Sequence, residues 1–203
     1  MREHVGLFGG VGAALLMSAI NPFDWATWFL EVMPILIGLP ILILIAKSFP
    51  FSPLLYRLLF VHALILIMGA HYSYSRVPLG FWIQDLFDLS RNHYDRLGHF
   101  MQGFVPAILV RELLLRTSPL QQSKWLAFLT VSVCLAFSAA YELMEFLAAG
   151  IGGAGAEAFL GTQGDVWDTQ WDMLIALVGA IVSLLVLTRQ HERSMQQVVR
   201  STG

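Results

Sequence analysis

Apolar residues arrive in long unbroken runs, and polar residues gather in short clusters between them. Six stretches reach or approach the about 20 residues, with a range of about 17–25, that a helix needs to cross a bilayer. They are 5–20, 25–46, 53–70, 99–115, 125–147 and 172–188. The pattern predicts an all-α fold, a polytopic membrane helix bundle of about six transmembrane helices forming one integral membrane domain over 1–203. The first run follows a charged MREH, as a signal peptide would, but no small-x-small cleavage site comes after it, so it is expected to remain as a span. Gly6 and Gly10 form a GxxxG pair, which predicts close packing on a neighbouring helix.

One polar cluster has helical order. At 100° per residue, Asp85, Asp88, Asn92, Asp95, His99 and Gln102 fall on one arc, while Trp82, Ile83, Leu86, Phe87, Leu97 and Phe100 fill much of the rest. This predicts an amphipathic interfacial helix near 80–95 that turns into the fourth span. His93 points elsewhere on that wheel and joins a site only if the helix breaks beside it.

Composition fits the same reading. The 203 residues are 57% hydrophobic and 13% charged, with mean hydropathy +0.67, more apolar surface than a water-soluble domain of this size can cover. The net charge of −2 and the lack of a basic arm exclude a nucleic-acid-binding role. Cys134, the single cysteine, rules out an internal disulfide and reads as a small buried hydrophobe.

Lysine and arginine set the orientation. With six spans, Arg2, Lys47, Arg57, Arg111, Arg116, Lys124, Arg189, Arg193 and Arg200 share one side, against Arg76, Arg91 and Arg96 on the other. The positive-inside rule then puts both termini in the cytoplasm. Acids do the reverse: Glu3, Glu112 and Glu192 lie on the cytoplasmic side, and the other eleven of fourteen lie in or near the outer half. Membrane insertion does not explain that bias, since acids contribute little to topology.

The outer acids are the candidate chemistry. Glu142 and Glu145 end an otherwise apolar fifth span, and Glu31 lies about two turns into the second. In GTQGDVWDTQWDM, a helical reading stacks Asp165, Asp168 and Asp172 on one face, with Trp167 and Trp171 opposite as interfacial anchors. Asp165 reads as a helix-start acid, but Asp172 lies too far along to benefit from the helix dipole. So many carboxylates need neutralising by shared protons, by arginine or by a metal ion, and the sequence leaves all three open. Asp95, His99, Asp165, Asp168 and Asp172 are candidate ligands for a divalent metal ion, the candidate cofactor. Glu142, Glu145 and Asp168 are candidate catalytic groups, and Arg91, Arg96 and His71 candidate contacts to a substrate or headgroup. His62, mid-span, reads as a satisfied structural histidine.

HYSYSRVPLG, RNHYDRLGHFMQGFVPAILVRE, SAAYELMEF and FLGTQGDVWDTQWDM resemble the signature blocks of the YjdF-like bacterial inner-membrane proteins, a family of unknown function. The resemblance covers nearly the whole chain and implies a multi-pass protein of the bacterial inner membrane; it carries no activity or site residues with it. The acid-ended helix, loop and Asp-bearing last helix are also similar in order to VanZ-like membrane proteins. Three functions are therefore weighed. One is a metal-dependent hydrolase or transferase acting on a lipid-linked or envelope substrate at the outer surface. Another is a non-catalytic partner, or a protein that binds a cation or headgroup, and the third a proton- or ion-coupled transporter. The chain has no HExxH and no GxSxG, and its acids crowd at one end rather than crossing the bilayer. Whether it is an enzyme, and its oligomeric state, are left open at this point.

Overall fold

The structure is a computed structural model, and it describes residues 2–152 and 162–202. These residues form seven helices and no strand. The helices are α1 (Arg2–Ser18), α2 (Trp25–Ile45), α3 (Pro53–Tyr72), α4 (Pro78–Phe87), α5 (Tyr94–Thr117), α6 (Lys124–Gly152) and α7 (Asp168–Thr202). A short 3-10 turn, Tyr74–Arg76, joins α3 to α4.

Among the described residues four helices, α2, α3, α6 and α7, are long and apolar enough to cross a membrane. Phe29, Ile37 and Leu44 on α2, Phe128 and Phe137 on α6, and Leu185 on α7 stand exposed. In water such a surface would be an aggregation liability, whereas in lipid it is the expected exterior. The remaining two expected spans are less plain by composition. α1 has only 17 residues, and α5 carries Asp95, Arg96, Arg111, Glu112 and Arg116.

The long helix with the highest density of charge, α5, lies in the middle. α5 packs against α7, α6 and α3, while α1 and α2 lean on α3. Ionisable groups at membrane depth are costly unless they face protein or water, so a central α5 is the arrangement its sequence demands. Glycines bring it close to α7. A Cβ on Gly103 would strike the backbone of Ala176, and one on Gly179 the backbone carbonyl of Phe100. The two helices thus meet backbone to backbone, as small residues permit in membrane bundles.

Four expectations need correcting. The interfacial helix near 80–95 is the shorter α4, closed when Asp88 adopts the left-handed conformation (φ 51°, ψ 45°) and its N–H bonds back to Gln84. Asp85 and Asp88 are therefore separated from Asp95 and His99, and both are exposed. The acidic stack is also interrupted, because α7 begins at Asp168 and Asp165 sits in the turn before it. The GxxxG pair works by half: a Cβ on Gly10 would meet Phe60, whereas Gly6 faces open space. In addition, α7 runs 35 residues, ~52 Å at ~1.5 Å per residue, so the expected span 172–188 is only its middle part.

Candidate metal centre

The loop between α4 and α5 builds the site. The break at Asp88 frees the chain to turn, and Asn92 then fixes it. Its side-chain amide donates to the Val77 carbonyl at 3.0 Å, and its oxygen accepts from the Tyr94 amide at 3.0 Å, opening α5. Gln163 donates to the Asn92 carbonyl at 2.8 Å and ties this loop to the segment preceding α7. Arg91, just before α5, and Arg96, in its first turns, consequently face the start of α7.

Those two arginines bind the acids of α7 and its approach. Arg91 donates to Asp168 at 2.9 Å, to Asp165 at 3.3 Å and to the Thr162 carbonyl at 2.7 Å. Arg96 donates to the same Asp168 oxygen at 2.6 Å and bonds to Asp172 through its other terminal nitrogen. Asp168 and Asp172 are buried, with side chains 6% and 4% exposed. Charge-assisted bonds of this kind are the strong ones. Arginine therefore neutralises Asp165 and Asp168, and Arg91 and Arg96 are committed to carboxylates. His93, brought here by the helix break, stays outside the network. Burial, with Arg91 and Arg96 nearby, holds its imidazole below the usual histidine range.

A second group lies one turn deeper. His99 Nε2 is 3.5 Å from Asp95, 3.7 Å from Glu142 and 3.8 Å from Asp172. Asp95, His99 and Asp172 each offer one ligand atom, all within 4.8 Å of one another. His99 Nδ1 lies 2.9 Å from Gln102 Oε1. Donation of Nδ1–H to that oxygen leaves Nε2 with a lone pair directed at three carboxylate oxygens. Lone pairs facing one another repel, so a cation belongs between them, either a proton on Nε2 or a metal ion. The spacings are close to the ~3.4 Å between two ligands each ~2.1 Å from a tetrahedral ion. A glutamine holding the far nitrogen is the kind of support that metal-binding histidines use.

Carboxylates outnumber cations around this group. Glu142 is buried, and its Oε1 has no hydrogen-bond partner among the described residues. Glu145 is half-buried on the next turn and makes no ion pair with another described residue. Glu31, on α2, is buried and accepts from the Tyr141 hydroxyl at 3.0 Å. It had been noted only as an acid within a span, and its pairing with a tyrosine on α6 is invisible without the fold. His71 does not join this cluster by any contact. Its Nδ1 is 2.9 Å from the Ser18 carbonyl, at the connection between α1 and α2.

A second buried polar group, at the opposite end of the bundle, was missed by sequence reading. Glu112 and His191 are fully buried and 2.9 Å apart. Glu112 also accepts from the Ser52 amide at 2.9 Å, the Ser52 hydroxyl at 2.6 Å and Arg116 at 2.8 Å. Arg111 donates to His191 Nδ1 at 2.9 Å and to Glu192 at 2.8 Å. Arg111 and Arg116 had been read only as charges that orient the chain, Glu112 and Glu192 only as acids on the cytoplasmic side, and Ser52 and His191 not at all. His191 and Glu192 lie on the part of α7 beyond its expected span, so nothing local brought them to Glu112.

An all-helical, multi-pass membrane protein with a buried histidine–carboxylate group at one end is the class that these features define. The family model described as "Predicted membrane protein (DUF2238)" matches residues 3–193, so the chain belongs to that family. It is 48% identical to "Inner membrane protein YjdF" of Escherichia coli (strain K12) over 189 residues, covering 93% of this chain and 90% of that protein. The resemblance read from the sequence blocks is thereby shown, and location in the inner membrane follows from it; the likeness to VanZ-like proteins gains no support from these matches. No solved structure matches the chain.

Proposed function

We propose that the protein binds a divalent metal ion through Asp95, His99 and Asp172, with Glu142 beside them, and uses it as a hydrolase or transferase on a lipid-linked substrate. The observation that carries this reading is the His99 nitrogen facing three carboxylates, one of them with an orphaned buried oxygen. Bound there, a metal ion would polarise a phosphoryl or acyl oxygen or activate water. Glu142 and Glu145, unpaired with arginine, are the groups able to take up a proton from that water. Arg91 and Arg96 hold Asp165, Asp168 and Asp172 in place, a positioning role instead of the substrate contact first expected. In this reading α1 and α5 complete six spans of a single domain, both termini are cytoplasmic, and the metal centre faces the outer side.

Purified protein stripped with chelator and re-supplied with Zn²⁺ or Mn²⁺ should hold about one ion per chain, lost in His99→Ala and Asp172→Asn. Absence of stoichiometric metal at any reasonable concentration ends the metal reading and leaves proton-sharing carboxylates. Metal binding together with Glu142→Gln and wild type acting identically on envelope lipid extracts, followed by mass spectrometry, would favour a non-catalytic cation-binding role. A reporter fused after Gly203 should be active in the cytoplasm.

A further inference from the structure

A cavity of about 460 Å³ lies between α1, α2, α3 and α5, in the half of the bundle away from the carboxylates. Its volume falls within the usual ~300–1,000 Å³ of small-molecule sites. Hydrocarbon forms the wall: Phe8 and Val11 from α1, Gly38 and Leu42 from α2, Leu59 from α3 and Leu109 from α5. No lysine, arginine, aspartate or glutamate lines it. Ile41 lines it too and is 49% exposed on the bundle surface, so the cavity meets the lipid there.

One polar atom in that wall has no partner among the described residues. His62 is 9% exposed, and its Nε2 has no hydrogen-bond partner among the described residues. The other polar lining group, the Tyr56 hydroxyl, accepts from the Phe51 amide at 3.3 Å. The sequence suggested a satisfied structural histidine, and the structure overturns this. A buried polar atom left unpaired carries its full desolvation cost, which is reason to ask what pairs with it.

Depth and charge narrow the answer. His62 is tenth among the 20 residues of α3. At ~1.5 Å per residue it lies ~14 Å along the helix, near the middle of a ~30 Å hydrocarbon core. Phospholipid headgroups and ester groups stay at the interface, well short of that depth. A charged ligand would be buried without a counter-ion, which membranes penalise heavily.

We infer that the cavity binds one uncharged lipid, a long hydrocarbon chain bearing a hydroxyl or quinone oxygen, with that oxygen hydrogen-bonded to His62 Nε2 and the chain filling the cavity. The site is separate from the metal centre and does not depend on it. A quinone carbonyl would accept from an Nε2–H, whereas an alcohol would donate to or accept from either tautomer.

The test uses the full-length protein in phosphatidylcholine vesicles supplied with a decyl-substituted benzoquinone, a 15-carbon isoprenoid alcohol or pentadecane. Bound probe is counted by mass spectrometry after re-isolation. Wild type should retain about one quinone or alcohol per chain, and whichever is retained identifies the source. His62→Leu, which keeps volume and removes the nitrogen, should lower that retention at least tenfold without lowering retention of the alkane. Gly38→Leu fills the cavity at a position where an added Cβ meets nothing within 4 Å, and should abolish both. Thermal melting of each variant checks that it is folded. The proposal is overturned if wild type holds neither oxygen-bearing probe, if only phospholipid is displaced by Gly38→Leu, or if folded His62→Leu retains them undiminished. Should His62→Leu fail to fold, retention of probe by Gly38→Leu at the wild-type level overturns it equally.

Discussion

The two ends of this bundle use the same residue types to opposite effect. At one end, Glu112 accepts four hydrogen bonds from three residues, Ser52 through both its amide and its hydroxyl, Arg116 and His191, while Arg111 ties His191 to Glu192. Two acids meet two arginines, and each carboxylate oxygen of Glu112 is bonded. At the other end, Arg91 and Arg96 are consumed by Asp165, Asp168 and Asp172, while Glu142 keeps an unpartnered oxygen and faces His99. A fully satisfied buried network fixes structure, whereas a partly satisfied one has a cost that only a ligand or proton removes. Satisfaction of polar groups, more than their number, is what separates the two ends.

The comparison breaks most easily at Glu112. Glu112→Ala leaves His191 and Ser52 buried without that acceptor and Arg116 with only the Pro50 carbonyl, and should destabilise the protein by about 3–5 kcal/mol, read by thermal or denaturant unfolding in detergent. A loss below about 1 kcal/mol would show that the network contributes little. Next comes Arg96→Met, which strands Asp172 in a buried setting and leaves Asp168 with Arg91 alone. It should cost about 2–4 kcal/mol, and added divalent metal should recover part of that loss by occupying the freed carboxylates. Glu142→Gln should act in the reverse sense. Removal of an uncompensated charge should leave metal-free stability unchanged or raised by about 1 kcal/mol, while metal affinity falls about 10–100-fold. Equal destabilisation by Glu142→Gln and Glu112→Ala would erase the distinction between the ends.

The smallest effect lies outside both. Asp24 caps α2 by accepting from the Thr27 amide at 2.7 Å, and that bond holds its carboxyl below the usual aspartate range. Asp24→Ala should cost about 1 kcal/mol at neutral pH. Because the folded value is the lower one, the cap's contribution is complete above the ordinary aspartate range and fades as pH falls through the lowered value. Melting curves of the pair should therefore converge in acid.

Much of this was legible in the chain because lipid makes hydrophobic length informative. The runs at 25–46, 53–70 and 125–147 became α2, α3 and α6 with boundaries shifted by a few residues. Asp95, His99, Asp172 and Glu142 were all named from spacing, since acids beside apolar runs need a reason to be there. Periodicity failed at Asp88, whose left-handed backbone ends α4 inside what reads as one continuous amphipathic arc. It failed also for Glu112 and His191, nearly eighty residues apart and joined only by the packing of α5 on α7. A charge near a helix end reads as a topology signal, and its burial appears only in three dimensions. The pairing of Arg91 and Arg96 with Asp165, Asp168 and Asp172 was not legible either, because those partners lie across a loop whose path the pattern does not record.

The most direct test of the account is a calorimetric Zn²⁺ titration of chelator-stripped protein, comparing wild type, His99→Ala and Glu192→Gln. One site per chain is expected in wild type and in Glu192→Gln, at the balanced end, and none in His99→Ala. No binding in wild type, or binding lost in Glu192→Gln while kept in His99→Ala, would contradict the assignment of the metal to the carboxylate end.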